Sequence, residues 1–352
     1  MSADIPAAND DDMCQPMHEW QTHSYEKCNP LHELDIKAET TRGVFRLVSC
    51  GGSRCAFHIT DTDGMSLALK KGKFRHPAEP SASSTQDGMA MERLSKSPYV
   101  LNTYGYCGDT QILEFATGGN IHDLVHRARK EGKDDMPSID KLRIAIQLIT
   151  GVADLHTFEE DGIASITHND ICCHQFVLVD GVYKLNDFHL STFTKRDNKN
   201  QICRQRQRVL HFWDLIHAPE EISGGKVDNE KADDYVVGNV MYYVLTKRWI
   251  FEDLLGSEGV KYLQEGKRSP FPKHLQNSKD PADIALMKGI SMVWTHSVAK
   301  RPSSREVSNF LIFELEKITG EKVKEVVRVS VQPLPKDWDY SEDPTFSLNL
   351  EG

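Results

Sequence analysis

No stretch of this 352-residue chain stays apolar long enough to cross a bilayer. A helical span needs about 20 such residues, and the run "VVGNVMYYVLT" stops at Lys247. Positive charge is scarce too: 42 Lys and Arg face 52 Asp and Glu, a formal net charge of −10. Broad binding to nucleic acid or to an anionic membrane is therefore not expected. The opening "MSADIPAANDDDM" lacks the basic-then-apolar order of a signal peptide, so a cytoplasmic location is expected. Tight C-x2-C spacing is missing from the string Cys14, His18, His23, Cys28 and His32, which predicts packing and surface residues rather than a metal site. Eight cysteines are few for a disulfide scaffold in a chain of this size. Cys172 and Cys173 are adjacent, which disfavours a bridge between them.

What is present describes a globular protein, with 39% hydrophobic and 27% charged residues and enough length for two lobes. Residues 1–40 are polar and without period, and are expected to form a flexible arm or a strap across a neighbouring surface. "GVFRLVSC", "RCAFHITD" and "MSLALKKG" predict three antiparallel strands separated by turns. "SSTQDGMAMERLSK" predicts a helix weakened by Gly88, and "YVLNTYGYC" and "TQILEFA" predict two further strands. Beyond "TGG" helical patterns dominate, from "NIHDLVHRARKEG" and "SIDKLRIAIQLITGVADLHTFEED" to "SSREVSNFLIFELEKITG", which follows Pro302. The expected fold is α+β and bilobal: a strand-rich lobe over 41–116, a helical lobe over 117–320 and a mobile or docking tail over 321–352.

Several short stretches carry chemistry. "LALKK" holds Lys70 on the third predicted strand, "ILEFATGG" joins the lobes, and "ITHNDICCHQFVLV" places His168 and Asp170 in a loop before a strand. "VYKLNDFHLST", "HAPEE", "KADDYVVGNVMYYVLT" and "KRPSSREV" follow in order. Over residues 43–318 this succession resembles the protein kinase family, in a divergent form. "GYC" and "DDYVVG" lean toward tyrosine-kinase-like members.

The resemblance implies an ATP site using Mg²⁺ or Mn²⁺, and a protein substrate bearing the acceptor hydroxyl. Lys70 would reach the α- and β-phosphates, and either Asp87 or Glu92 would hold Lys70 in place. Gly51, Gly52 and Arg54 fall in the phosphate-covering loop, where the outer glycines of G-x-G-x-x-G become Ser49 and Arg54. Arg54 there would either direct its guanidinium at a phosphate or block the site. Ala68 and Leu113 would line the nucleotide pocket, and Glu114 and Ala116 would offer backbone groups to the adenine ring.

The pattern H-R-D-L-x-x-x-N maps onto His168 through Gln175. Asp170 would accept the hydroxyl proton, and Gln175 and Asp187 would bind metal. His174 would either compensate phosphate charge or simply fill the loop. Asn169 replaces the Arg that commonly pairs with a phosphorylated activation loop, and His189 replaces the Gly of D-F-G. Glu220 would pair with Arg301, and Asp233 would tether the catalytic loop. The basic run Lys195, Arg196, Lys199, Arg204, Arg206 and Arg208 would receive an acidic peptide or a phosphorylated Ser191, Thr192 or Thr194. Retention of Lys70, Asp170 and Asp187 favours an active kinase. The altered glycine loop, Cys172, Gln175 and His189 favour the alternative, a pseudokinase that binds or scaffolds.

Overall fold

The computed structural model describes residues 14–34, 45–51, 54–61, 63–73, 82–132, 136–159, 163–203, 205–206, 217–223, 226–227, 229–254 and 256–331. Gly52, Arg204, Arg208, the first 13 residues and the tail beyond 331 lie outside the described residues.

The chain enters as a strap. Strand β1 (Gln15–Pro16) pairs with Lys195–Arg196 in the helical lobe, and a single turn at Asn29–His32 ends against the other lobe. Between them the Trp20 ring meets Phe193 edge-on at 5.1 Å, and its Nε1 donates to Glu159 at 2.9 Å. Gln21 Nε2 donates to the carbonyls of Ser165 and Thr194. Covalent bonds fix both ends, Cys14–Cys203 below and Cys28–Cys107 above. With Cys50–Cys55 there are three disulfides among the described residues. This corrects the expectation drawn from cysteine count: in Cys14–Cys203 and Cys28–Cys107 the partners are distant in sequence, and only the folded chain brings them together.

The small lobe is an antiparallel sheet in the order β2-β3-β4-β6-β5. Its strands are β2 (Arg46–Cys50), β3 (Arg54–Thr60), β4 (Ser66–Gly72), β5 (Thr103–Cys107) and β6 (Thr110–Glu114). Alternation sorts the side chains: Ile59, Leu67, Leu69 and Ile112 form one apolar cluster. The opposite face follows from the register, which pairs Arg54 with Gly72, Ala56 with Lys70 and His58 with Ala68. Cross-strand partners share a face, so these residues line the cleft side.

Helix α1 (Ala82–Arg93) packs on β5. Gly88 has a use there, because the Tyr106 ring lies where a Cβ would stand. The sequence reading took this glycine only as a weakness.

The large lobe is built on α2 (Ile121–Glu131) and α3 (Ser138–Thr157), whose apolar stripe is buried from Leu142 to Leu155. Asn120 caps α2 reciprocally with Asp123, and Gly132 closes it in the left-handed conformation. Strands β7 (Ile166–Thr167), β8 (Phe176–Val179), β9 (Val182–Leu185), β10 (Thr192–Phe193) and β11 (Lys195–Arg196) frame the cleft floor. Helices α4 (Asn229–Thr246), α5 (Gly256–Gln264), α6 (Pro281–Val293) and α7 (Ser304–Thr319) complete the lobe. The segment after α7 docks back onto the domain: Val327 N–H donates to Tyr99 Oη at 3.0 Å and Val329 N–H to the Gly181 carbonyl at 2.9 Å.

Candidate active site

The floor of the cleft is held by one buried carboxylate. Asp233, near the start of α4, accepts from the backbone N–H of His168 at 2.7 Å and of Asn169 at 3.0 Å, and from His156 Nε2 at 3.2 Å. These bonds shape the catalytic loop. Asn169 sits at φ 62°, a region that Asn tolerates better than most residues. Its amide donates to the Leu190 carbonyl and to Thr192 Oγ1, both at 3.1 Å. A neutral amide thus fastens the segment after Phe188 directly, a role the sequence reading did not assign to Asn169.

Asp170 follows on the same loop. Burial pushes its carboxyl above the usual carboxylate range, His168 and His189 pull it back, and Asp187 adds to the rise. Its Oδ2 accepts from Gln175 Nε2 at 2.7 Å. The Gln175 amide therefore faces Asp170 with its nitrogen, leaving only its carbonyl oxygen for a metal. His174 turns elsewhere: its ring stacks on His122 of α2 at 4.8 Å, and its Nδ1 lies near the Cys172 and Cys173 sulfurs. Burial drives the Cys172 thiol up to about 12, so it stays protonated.

Asp187 stands at φ 66° between the Lys70 ammonium and the His189 ring. Its Oδ1 takes the Lys70 ammonium and, at 2.9 Å, His189 Nδ1. Burial alone would raise its carboxyl, but the Lys70 charge and His189 hold it far below the usual range. His189 is raised by the same hydrogen bond to Asp187. Phe188 is fully buried, tilted against His168 at 4.8 Å.

Of the two acids considered for Lys70, the structure brings up Asp87. Its Oδ2 receives Lys70 Nζ at 3.1 Å and also the Arg54 guanidinium, while its Oδ1 accepts Phe188 N–H at 2.8 Å. Glu92 faces outward and pairs with Lys27 of the strap. Asp is short for this reach, and the register brings Arg54 to share the load.

At the lobe junction Leu113 is buried and Ala116 packs against the core. Glu114 differs from expectation in one respect: its backbone N–H is already donated to the Asn102 carbonyl at 3.0 Å. Its carboxylate takes Lys184 Nζ at 2.7 and 2.9 Å. Gly51 donates its N–H to the Arg54 carbonyl at 2.8 Å, closing the hairpin end of the phosphate loop. The predicted phosphoacceptor hydroxyls point inward. Ser191 is buried, Thr192 Oγ1 meets Thr167 Oγ1 at 2.8 Å, and Thr194 Oγ1 donates to the Ala164 carbonyl at 2.6 Å.

Farther down, Arg301 and Glu220 form a two-pronged pair at 2.6 and 3.0 Å. The Arg301 guanidinium also lies over the Tyr235 ring and donates to the Thr295 carbonyl.

The sequence over this region matches known proteins. A family model described as the protein kinase domain matches residues 48–312. PTI1-like tyrosine-protein kinase 2 of Arabidopsis thaliana is 30% identical over 229 residues, covering 62% of this chain and 60% of the relative. Dual specificity protein kinase pyk3 of Dictyostelium discoideum is 25% identical over 262 residues, 73% of this chain and 17% of that protein. Human mitogen-activated protein kinase kinase kinase 7 is 24% identical over 229 residues, 59% of this chain and 35% of its own length. The chain thus spans about three fifths or less of these curated relatives. On the family match and the bilobal architecture together, this chain belongs to the protein kinase domain family.

Proposed function

We propose that the chain transfers the γ-phosphoryl group of ATP to a hydroxyl of a protein substrate. The observation that carries this reading is the convergence of Lys70, Asp87 and Asp187 in one ion-paired cluster, with Asp170 facing it across the floor. Lys70, on a rigid strand, positions the α- and β-phosphates. Asp170 orients the acceptor hydroxyl in line with the γ-phosphorus and takes its proton. The new bond joins the hydroxyl oxygen to phosphorus, the bond to the bridging oxygen breaks, and ADP leaves with that electron pair.

The donors fit a hard divalent cation. Asp187 Oδ2 has no hydrogen-bond partner among the described residues, and Gln175 retains an amide oxygen. When bound, the cation would neutralise charge developing on the phosphates. Gln175 and Asp187 would hold the cation there, while Lys70 would orient the phosphates. The three disulfides fit an oxidising compartment better than the expected cytoplasmic one.

A second reading is a nucleotide-binding pseudokinase. Its specific support is the Gln175 amide nitrogen on Asp170, which engages the oxygen that would meet the hydroxyl. Radiolabelled ATP with Mg²⁺ or Mn²⁺, followed by autophosphorylation and peptide-array assays, separates the two. Asp170→Asn should lower transfer by about 100-fold or more while leaving ATP binding in place. Transfer equal in wild type and Asp170→Asn would leave only the binding role.

A further inference from the structure

Arg54 is a cation at the cleft that the family pattern does not call for. It stands where the third glycine of the phosphate loop would be, and its side chain is turned into the protein, with 8% of its surface exposed. Two constraints keep it there. The Cys50–Cys55 disulfide closes the loop immediately beside it, and β3 pairs Arg54 with Gly72 on the face that carries Lys70.

The guanidinium is only half used. Nη1 donates to Asp87 Oδ2, the same oxygen that receives Lys70. Nη2 is buried and has no hydrogen-bond partner among the described residues. A buried guanidinium N–H without an acceptor among the described residues is costly to leave unpaired and is available to a ligand. Arg is also the side chain whose planar fork best matches phosphate oxygens.

The ligand class follows from the neighbours. Arg54 and Lys70 converge on Asp87, and Lys70 also reaches Asp187, the candidate metal-holding carboxylate. On the opposite wall Gln175 turns its amide nitrogen to Asp170 and so offers a weaker second metal position than an Asn placed for coordination. The site has thus lost metal-binding capacity on one side and gained a fixed positive charge on the other.

We propose that Arg54 is a phosphate ligand of the bound nucleotide. Its Nη2 donates to a non-bridging oxygen of the polyphosphate and supplies charge that a second divalent cation would otherwise bring. This rests on the nucleotide reading above and sharpens it: the chain binds nucleoside di- and triphosphates with a reduced dependence on divalent metal. Cα and backbone N–H groups of the loop then matter less for phosphate binding, which is why a bulky residue is compatible with the third glycine position.

The test is calorimetric titration of ATP, ADP and adenosine into the full, disulfide-intact chain, in Mg²⁺ and in EDTA. The variants are Arg54→Met, which keeps the packed stem, Arg54→Gly, which restores the family residue, and Arg54→Lys. Wild type is expected to retain ATP and ADP binding in EDTA. Arg54→Met and Arg54→Gly should weaken it there by about 10- to 100-fold, as loss of a charge-assisted hydrogen bond implies. The loss in Mg²⁺ should be smaller, Arg54→Lys should be intermediate, and adenosine affinity should be unchanged in all. Unliganded melting temperatures identify any variant that fails to fold. Equal or tighter ATP binding by Arg54→Gly in EDTA would overturn the assignment and make Arg54 a plug, leaving phosphotransfer intact. Wild type and Arg54→Gly both failing to bind ATP in either buffer would overturn the nucleotide reading itself.

Discussion

The floor and the roof of the cleft are held by different means. On the floor, buried side chains satisfy backbone groups: Asp233 takes the N–H groups of His168 and Asn169, and Arg301 takes Glu220 and the Thr295 carbonyl. On the roof the constraints are ionic and covalent, with Arg54 and Lys70 on Asp87 and disulfides at Cys50–Cys55 and Cys28–Cys107. The floor keeps the family's structural residues Asp233, Glu220 and Arg301 but departs from its pattern at Asn169, Gln175 and His189, and the roof departs at Ser49 and Arg54. The floor residues fix the shape of a loop, which any member of the fold needs. On the proposed reading the roof residues would contact the nucleotide, where one chemical means of holding phosphate can replace another.

Removing Arg301 should produce the largest effect. Arg301→Met leaves Glu220 without its cation and the Thr295 carbonyl without its donor, in a site where the guanidinium is wholly buried. Breaking one side of a buried pair costs about 3–5 kcal/mol. Urea unfolding at neutral pH measures this. A loss below 1 kcal/mol would mean that the floor is not anchored there, and the contrast between floor and roof would lose its basis.

The strap should come next. Cys14–Cys203 joins residues 189 apart, and Cys28–Cys107 joins residues 79 apart. Loop-closure reasoning gives about 2–4 kcal/mol for a typical native bridge. The Cys14→Ser, Cys203→Ser double variant should lose about this much stability and expose the chain near Lys195 to limited proteolysis. The Cys50→Ser, Cys55→Ser pair, closing a far shorter loop, should lose less. If the ranking were reversed, the strap would be a passenger and the phosphate loop the mechanical clamp.

How far the sequence foretold all this depends on the range of the signal. Strands β3 and β4 were legible because alternation is local, and Lys70, Asp170 and Asp187 because each sits in a short recognisable stretch. Glu220 and Arg301, 81 residues apart, were paired through the resemblance alone. The disulfides were missed because cysteine count says nothing about which residues the fold will juxtapose. The Arg54–Asp87 contact was missed for a related reason: it needs the β3–β4 register and the position of α1 together. Gly88 looked like a helix defect because its partner, the Tyr106 ring, lies on another element. Val327 and Val329 dock through backbone N–H bonds to Tyr99 and Gly181, whereas most of the tail read as mobile or docking lies outside the described residues.

The floor also carries a strongly raised histidine, and it is the gentlest way to probe the comparison. His156 at the end of α3 is fully buried; burial alone would lower it, yet hydrogen bonds and charges from Asp233 and Asp234 raise it to about 10. The surrounding groups are all anionic or shared with them: Asp233 at 3.2 Å from Nε2, Asp234 at 3.5 Å from Nδ1, and a Glu230 carboxylate oxygen within 4.8 Å. Lys231 offsets part of this charge through Asp234. Because the folded value lies above the ordinary 6.5, the stabilisation is fully present below pH 6.5 and is lost as pH rises toward about 10. One proton limits the slope to about 1.4 kcal/mol per pH unit. Unfolding free energies measured from pH 6 to 9.5 should therefore decline for wild type and run flatter for His156→Gln, which keeps a donor for Asp233 without a charge. Parallel profiles would mean that a neutral imidazole donates to Asp233 alone, and that the loop is held at this point by hydrogen bonding without a charge on His156.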